Sequence, residues 1–499
     1  MSAPDMADTV TTSTTSLDVF ILTFNAAKEQ INPHVFASHL RNAFAQNATG
    51  LPELIVICLQ EMAPLAQSFI GSYMIDPFFQ SYASAVHIAA SSHVAHKPLQ
   101  RPEVDRERYQ DEPDDTPYTL VTTRNVGMTG IMLFALTPSA LQDLKSTEVS
   151  FGAGDMANKG AVALRMLFSK QDAGDRKRQT ELTFVSTHLA PHEWNLEKRN
   201  RNWETIVSGL LFADPQELCG IQTAHPTPRA STNGSDDEGE GLLSGDPNER
   251  ALHDITIYKP ESHLFVAGDL NYRISKTSPN DKSVFPDLDP DSPNHYKRFL
   301  PLDQLTSERV AGRTLQGLRE SAILFPPTYK LKITEKKALQ EETQNQRNGD
   351  STVHDEVHWK WSSHRWPGWC DRILYLDVPR WVSPSSATTE ICMDTIAYDA
   401  LPAVRTSDHR AVFLRLKVPV LEPSILAPPQ DLSVSDSDND PRVKLPYPVD
   451  LDSWANRARF KKWESIIGWS MLISQSKQGI AVFATLLLIG LGTWSLRSM

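Results

Sequence analysis

Short apolar runs with β-branched and aromatic members read as buried strands. In this chain such runs repeatedly meet polar residues at one end. Residues 17–22 lead to Thr23-Phe24-Asn25, 53–59 to Gln60-Glu61, and 264–267 to Gly268-Asp269. The run 182–189 carries Thr187 and His188, and the run 161–167 follows Asn158-Lys159-Gly160. Residues 373–376 follow Trp369-Cys370-Asp371-Arg372, and 411–418 follow Ser407-Asp408-His409. Further strand material surrounds Gly127 and Gly130. Helical spacing covers 32–47, with Asn32 as the N-cap and Pro33 at the first helical position, and also 191–209 and 299–324. Residues 64–80 are apolar and aromatic, either a helix or a surface loop. Strands that alternate with helices and end in polar residues predict a layered α/β fold with one shared site.

Composition adds organisation. The chain has 499 residues, 40% hydrophobic and 22% charged, which suits a globular protein with a sizeable core. The net charge of −12 argues against nucleic acid as a partner, although acidic runs at 235–240 and 433–440 supply much of it. The four cysteines are widely spaced, which fits a reducing compartment and predicts neither a zinc site nor a disulfide framework. Residues 1–16 read as a disordered N-terminus without a secretory signal pattern, 17–418 as the main folded domain, and 97–117, 223–250 and 335–352 as flexible insertions. Residues 419–459 read as a disordered acidic linker and 460–475 as an interfacial helix. Residues 479–496 carry no charge, and at ~1.5 Å per residue they reach roughly 27 Å, close to a thin bilayer core. Lys477 suits one interface, and Trp494 and Arg497 the other. The expectation is a transmembrane tail anchor with the large domain in the cytosol, at the endoplasmic reticulum first and the mitochondrial outer membrane second. A buried C-terminal helix is the alternative.

Several polar groups fit phosphate chemistry. Glu61 after a strand, with Asn25, offers the oxygen ligands that Mg2+ prefers. Lys159 lies in a Gly-rich loop that either presents N–H groups and an ammonium to phosphate or is a plain hairpin turn. A carboxylate paired with His409 would fix its tautomer and raise its pKa, and either Asp408 or Asp371 can be that partner. Lys330 and Arg372 read as cations for substrate phosphates or as solvated surface charges. Asp269 is the candidate base, with Asn271 holding the attacking water or the phosphate. Together these groups supply a divalent ion, a base for water and cations for the developing charge, as phosphate-ester hydrolysis requires.

The motifs Thr23-Phe24-Asn25, Gln60-Glu61, Asn158-Lys159-Gly160-Ala161-Val162, Thr187-His188-Leu189-Ala190-Pro191-His192 with Asn195 and Arg199, Gly268-Asp269-Leu270-Asn271-Tyr272-Arg273-Ile274, Pro327-Thr328-Tyr329-Lys330, Trp369-Cys370-Asp371-Arg372-Ile373-Leu374 and Ser407-Asp408-His409 occur in this order. Together they resemble the inositol polyphosphate 5-phosphatases of the endonuclease/exonuclease/phosphatase superfamily. The resemblance spans 17–418. It implies a four-layer α/β sandwich, two packed mixed sheets flanked by helices, to which the tail adds a C-terminal transmembrane helix. It also implies Mg2+-dependent attack of water on the 5-phosphate of an inositol ring. Glu61 would hold Mg2+ with Asn25 and Asp408. Asp269 would be the base and Asn271 would position the nucleophile. His409, oriented by Asp371, would stabilise the transition state, and His188 would contact the scissile phosphate. Asn158, Lys159, Tyr329, Lys330 and Arg372 would bind substrate phosphates. Phe24, Ala161, Pro191 and Gly368 depart from the family's usual Trp, Gly, Ala and Ser, and none of these removes a charged group. The expected partners are a phosphoinositide lipid and a membrane, not nucleic acid, with a monomeric catalytic domain. The rival readings are a nuclease or sphingomyelinase-like phosphodiesterase, and a scaffold that binds phosphoinositides without cleaving them.

Overall fold

In β1 (Ser16–Asn25), Leu17, Val19 and Ile21 face one apolar cluster while Phe20, Leu22 and Phe24 face another. A strand buried on both faces belongs inside a layered protein. The computed structural model describes residues 15–95, 116–171, 174, 176–220, 247–334, 357–382, 391–429, 440–476 and 485. β1 pairs in parallel with β2 (Leu54–Gln60) and antiparallel with β14 (Val412–Pro419). With β3 (Thr119–Val126), β4 (Thr129–Ala135) and β13 (Asp394–Ala400) they form a sheet of order β13-β14-β1-β2-β4-β3. A second sheet runs β5 (Leu141–Ser150), β6 (Gly160–Gln171), β7 (Lys177–His188), β8 (Ser262–Asp269), β12 (Asp371–Leu376) and β9 (Leu318–Arg319). Here β7 and β8 are parallel and the other pairs antiparallel, so both sheets are mixed. β10 (Leu331–Ile333) and β11 (Trp359–Trp361) form a separate ribbon.

The two sheets pack face to face over a core built from β1, β2, β7, β8, β12 and β14 among others. Helices α1 (Pro33–Ala45) and α3 (Asp76–Ala95) cover the outer face of the first sheet, and α4 (Leu196–Gly209) that of the second. The short α2 (Leu65–Ile70) precedes α3, so 64–80 is largely helical. Asn32 caps α1 as expected, accepting the N–H groups of His34 at 3.0 Å and Val35 at 3.4 Å. The expected helix over 299–324 reduces to Gln304–Val310 between short turns, because Pro301, Gly312 and Gly317 interrupt it.

The reading of 419–459 as a disordered linker needs correction for its described part. Leu445 and Tyr447 pack on the outer core of the second sheet. The Asp450 N–H donates to Ser208 O at 2.9 Å, and Trp454 Nε1 donates to Leu211 O at 3.0 Å. A few large apolar residues within a polar stretch are enough to fasten it. The helix expected at 460–475 begins earlier, spans Ser453–Gln475 and packs against α2. Among the described residues no helix is long and apolar enough to cross a membrane. The expected anchor at 479–496 lies outside the described residues apart from Thr485, and the three expected insertions lie largely outside them.

Candidate active site

Strand register builds the site. Across the second sheet Gly160 pairs with His188, His188 with Asp269, and Asp269 with Asp371. Side chains alternate along a strand, so Asp269 shares the inter-sheet face of Phe265 and Ala267, and Asp371 that of Ile373 and Tyr375. His188 lies on the face of Leu182 and Phe184, and Asn25 on that of Val19 and Ile21. The apolar core between the sheets therefore ends in a row of polar groups. Gly268 admits this row, since a Cβ there would lie 2.0 Å from Thr187 O.

Asp269 is the hub. Its Oδ2 accepts Asn25 Nδ2 at 2.9 Å and lies 3.3 Å from His188 Nε2 and 3.9 Å from His409 Nε2. Its Oδ1 accepts the Asn271 N–H at 3.1 Å. Burial alone would raise its pKa, but His409, His188 and Lys159 overcome that and hold it well below the usual carboxylate range. His409 donates from Nδ1 to Asp371 Oδ2 at 2.8 Å, and Thr328 Oγ1 donates to the same oxygen at 2.7 Å. The partner of His409 is therefore Asp371. Burial would lower the His409 pKa, yet the carboxylates of Asp371 and Asp269 raise it to about 9.

The cationic side begins with Lys159, whose Nζ lies 2.6 Å from His188 Nε2 and 3.6 Å from Glu61 Oε1. Burial lowers the pKa of both Lys159 and His188. Glu61, at a left-handed φ of 45°, also pairs with Lys28 at 3.0 Å. Burial works against ionisation of Glu61, but His188, Lys159 and Lys28 together hold its pKa down. Asn25 Oδ1 accepts the Ala27 N–H at 3.1 Å. Asp408 follows Ser407, whose hydroxyl donates to Asn25 O at 2.6 Å, but its carboxylate pairs with Lys330 at 2.5 Å.

Asn271, at φ 57°, donates from Nδ2 to Leu189 O at 3.2 Å and accepts Arg273 Nη2 on its Oδ1, which fixes its amide. The Tyr329 ring lies against His409, with centroids 4.5 Å apart, and against the Arg273 guanidinium at 4.4 Å. Tyr329 thus supports the histidine as well as bordering the site. Asn158 Oδ1 accepts the Ala153 N–H at 2.9 Å and shapes the Lys159 loop. Two buried polar atoms in this wall, Arg273 Nη1 and Asp371 Oδ1, have no hydrogen-bond partner in the structure. Such atoms are what a bound substrate or water would satisfy.

Arg372 is not brought to this site. It shares the face of Leu374 and Leu376, on the other side of the sheet from Asp371. There it is 0% exposed, with Nε and Nη2 each 2.6 Å from Glu320 and Nη1 3.0 Å from Asp303. Its expected role as a phosphate ligand is corrected to a buried structural ion pair. Arg372→Met strands two carboxylates in the interior and is expected to cost about 3–5 kcal/mol of stability in denaturant unfolding. A phosphate ligand would instead raise KM and leave unfolding unchanged.

The structure adds Arg365, which sequence reasoning passed over. Its Nη2 lies 3.3 Å from His192 Nδ1, and its charge is felt at Lys330, so it extends the cationic side. Its position four residues before Trp369 was the available signal. The sequence assigns no role to Lys28 or to Arg273, although Arg273 stands in the Gly268–Ile274 motif.

The family model described as Endonuclease/Exonuclease/phosphatase family 2 matches residues 22–415. The chain belongs to this family. The family match contains every residue of the row and its flanking cations. A probable inositol polyphosphate 5-phosphatase of Schizosaccharomyces pombe is 27% identical over 368 residues, 73% of this chain and 25% of that protein. A type I inositol polyphosphate 5-phosphatase of Arabidopsis thaliana is 28% identical over 273 residues, 54% of this chain and 20% of that protein. The chain thus spans about a quarter or less of the length of these relatives. The solved 5-phosphatase domain of SPsynaptojanin, in complex with inositol (1,4)-bisphosphate and calcium ion, is 20% identical with a TM-score of 0.48. That likeness covers 83% of this chain and 88% of the other.

Proposed function

We propose that this chain is a Mg2+-dependent phosphoric monoester hydrolase. It removes the 5-phosphate from phosphoinositides such as phosphatidylinositol 4,5-bisphosphate, with soluble inositol phosphates as a second class of substrate. The observation that carries this reading is the arrangement around Asp269. An anionic carboxylate, an imidazolium held by Asp371 and an ammonium at Lys159 converge at the end of the inter-sheet core. The names and identities of the relatives support the substrate class.

The reaction needs positioning more than base strength, because the phosphoryl group transfers through a loose transition state. Asp269 accepts a hydrogen bond from the attacking water and takes its proton as the new P–O bond forms. The inositol oxygen leaves with the electrons of the bond that breaks and takes up a proton from solvent, to which Asp269 returns the one it took. His409 donates to a phosphoryl oxygen, and Asp371 keeps it protonated for that task. Lys159, Lys330 and Arg365 bind the ring phosphates. Glu61 is an anionic oxygen donor and Asn25 Oδ1 has a spare lone pair, a donor set that fits Mg2+. Asp408, taken up by Lys330, fits that role less well. When bound, Mg2+ would neutralise charge on the phosphoryl oxygens.

The tail supports a membrane location. Trp463, Ile466, Trp469 and Ile473 are exposed along the Ser453–Gln475 helix, beside the exposed Lys461 and Lys462. The chain then continues into the uncharged 479–496. An apolar stripe flanked by lysines suits an anionic bilayer surface. We place the enzyme on the cytosolic face of a membrane, tail-anchored, with the endoplasmic reticulum favoured over the mitochondrial outer membrane.

The test is phosphate release from vesicles containing phosphatidylinositol 4,5-bisphosphate and from inositol 1,4,5-trisphosphate. Release is expected with Mg2+ present and is expected to vanish in excess EDTA and return with added Mg2+. A protein that releases phosphate from neither substrate, or equally well in EDTA, sinks the reading. Imaging a fusion of residues 462–499 tests the anchor, and a diffuse signal would overturn it.

A further inference from the structure

The Ser453–Gln475 helix lies beyond the residues matched by the family model, yet it is fastened to the loop that carries Lys159. The contact runs through Glu464, which is 2% exposed. Its Oε1 accepts the backbone N–H of Ala157 at 2.8 Å. The same oxygen accepts Arg457 Nη1 at 2.8 Å, and Arg457 Nε reaches Glu148 Oε1 on β5 at 3.0 Å. The carboxylate is therefore held from its own helix while it holds the loop.

The contact continues through the backbone. Ala157 O accepts the Met128 N–H at 3.3 Å, and Met128 O accepts the Met62 N–H at 3.1 Å. Met62 follows Glu61, and Ala157 stands two residues before Lys159. This chain of amides crosses from the second sheet to the first at the rim of the site. The fit leaves little room to slide. A Cβ on Gly468 would lie 2.9 Å from Ala66 O, and α2 begins four residues after Glu61.

We propose that Glu464 is a positioning residue of the active site. By accepting the Ala157 N–H it sets the placement of Lys159 and, through Met128 and Met62, of Glu61. This inference rests on the phosphatase reading of the site for its kinetic consequence, but not for its structural one. A buried amide that loses its acceptor is free to seek another, and the loop moves with it. A displacement of a substrate-binding group by about 1 Å can cost up to ~100-fold in rate.

The experiment uses the full chain in detergent with three variants. Glu464→Leu keeps bulk but removes the acceptor. Glu464→Asp keeps the charge but shortens the reach by one methylene. Glu464→Gln keeps an acceptor oxygen at the same reach. Glu464→Leu and Glu464→Asp are expected to raise KM for inositol 1,4,5-trisphosphate by about 10-fold with a smaller change in kcat, and Glu464→Gln to stay within about 3-fold of wild type. Hydrogen–deuterium exchange is read on the same proteins. Faster exchange confined to residues 153–160 and 61–63 in the Leu and Asp variants, restored in Gln, supports the proposal. If the Leu variant does not fold, the Asp and Gln pair decides. Wild-type exchange in the Asp variant, or equal loosening in Asp and Gln, overturns it. If the wild type releases no phosphate, the function proposed above fails, and the exchange measurements still decide the role of Glu464.

Discussion

Asp269→Asn is expected to lower phosphate release on the order of 10³-fold, within the range for removal of a positioned acid–base group. The substitution keeps size but not donor pattern. One side-chain oxygen must still accept the Asn271 N–H, as Asp269 Oδ1 does at 3.1 Å. The new amide NH2 then meets Asn25 Nδ2, which now donates to Asp269 Oδ2 at 2.9 Å. Two donors face each other in a buried place, at a cost of about 1–3 kcal/mol. The anion opposite His188 and His409 disappears as well. Single-turnover phosphate release, with circular dichroism and unfolding on the same protein, separates the chemical loss from the modest stability loss. Activity within tenfold of wild type in a folded variant would remove Asp269 from its role.

Asp371→Asn is expected to move the alkaline limb of kcat/KM downward by about one pH unit or more and to lower kcat roughly 10²–10⁴-fold. His409 is raised to about 9 against the effect of burial, chiefly by Asp371, with Asp269 second among the carboxylates. Its folded pKa stands above its unfolded value of roughly 6.5, so its protonation stabilises the fold. That contribution is fully present below about 6.5 and is lost as pH rises through about 9. Activity that needs the imidazolium falls over the same upper range. Removing the Asp371 charge brings the fall to lower pH, and it leaves only a neutral amide oxygen, a weaker acceptor, to hold the Nδ1 proton. Profiles of kcat/KM against pH for both proteins check this. A limb that stays in place in the variant would show that Asp371 does not govern His409.

Both predictions rest on residues that the sequence presents at strand ends. Leu264 to Ala267 reads as a strand, Gly268 as its turn and Asp269 as its delivered group, and the structure places them so. The same holds for Asn25, His188 and Asp371. The order of the motifs was enough to identify the family, which the match over 22–415 shows. Arg372 shows where a motif misleads. Asp371 and Arg372 are adjacent, and strand alternation alone forbids both from facing the same site. Arg365 is not marked by the sequence in the same way, because its segment has no periodic pattern. Neither is β5, because its outer half is exposed and polar, so it lacks the apolar run that marks a buried strand. The stretch 440–459 has the composition of a linker because composition averages over the few apolar side chains that dock it.

By itself the sequence determined the buried strands, the polar residue at each of their ends and the chemistry those residue types can perform. All of these are local, read from periodicity and residue type within a few positions. Only the tertiary structure decided that Asp408 pairs with Lys330, that Arg372 is sealed behind the sheet, and that Glu464 reaches back some 300 residues to Ala157, while for His409 it chose Asp371 over Asp408, as the resemblance implied. Those outcomes depend on strand register and on which elements stack. Register and stacking are set by the summed burial of the whole core, and no single segment carries that sum.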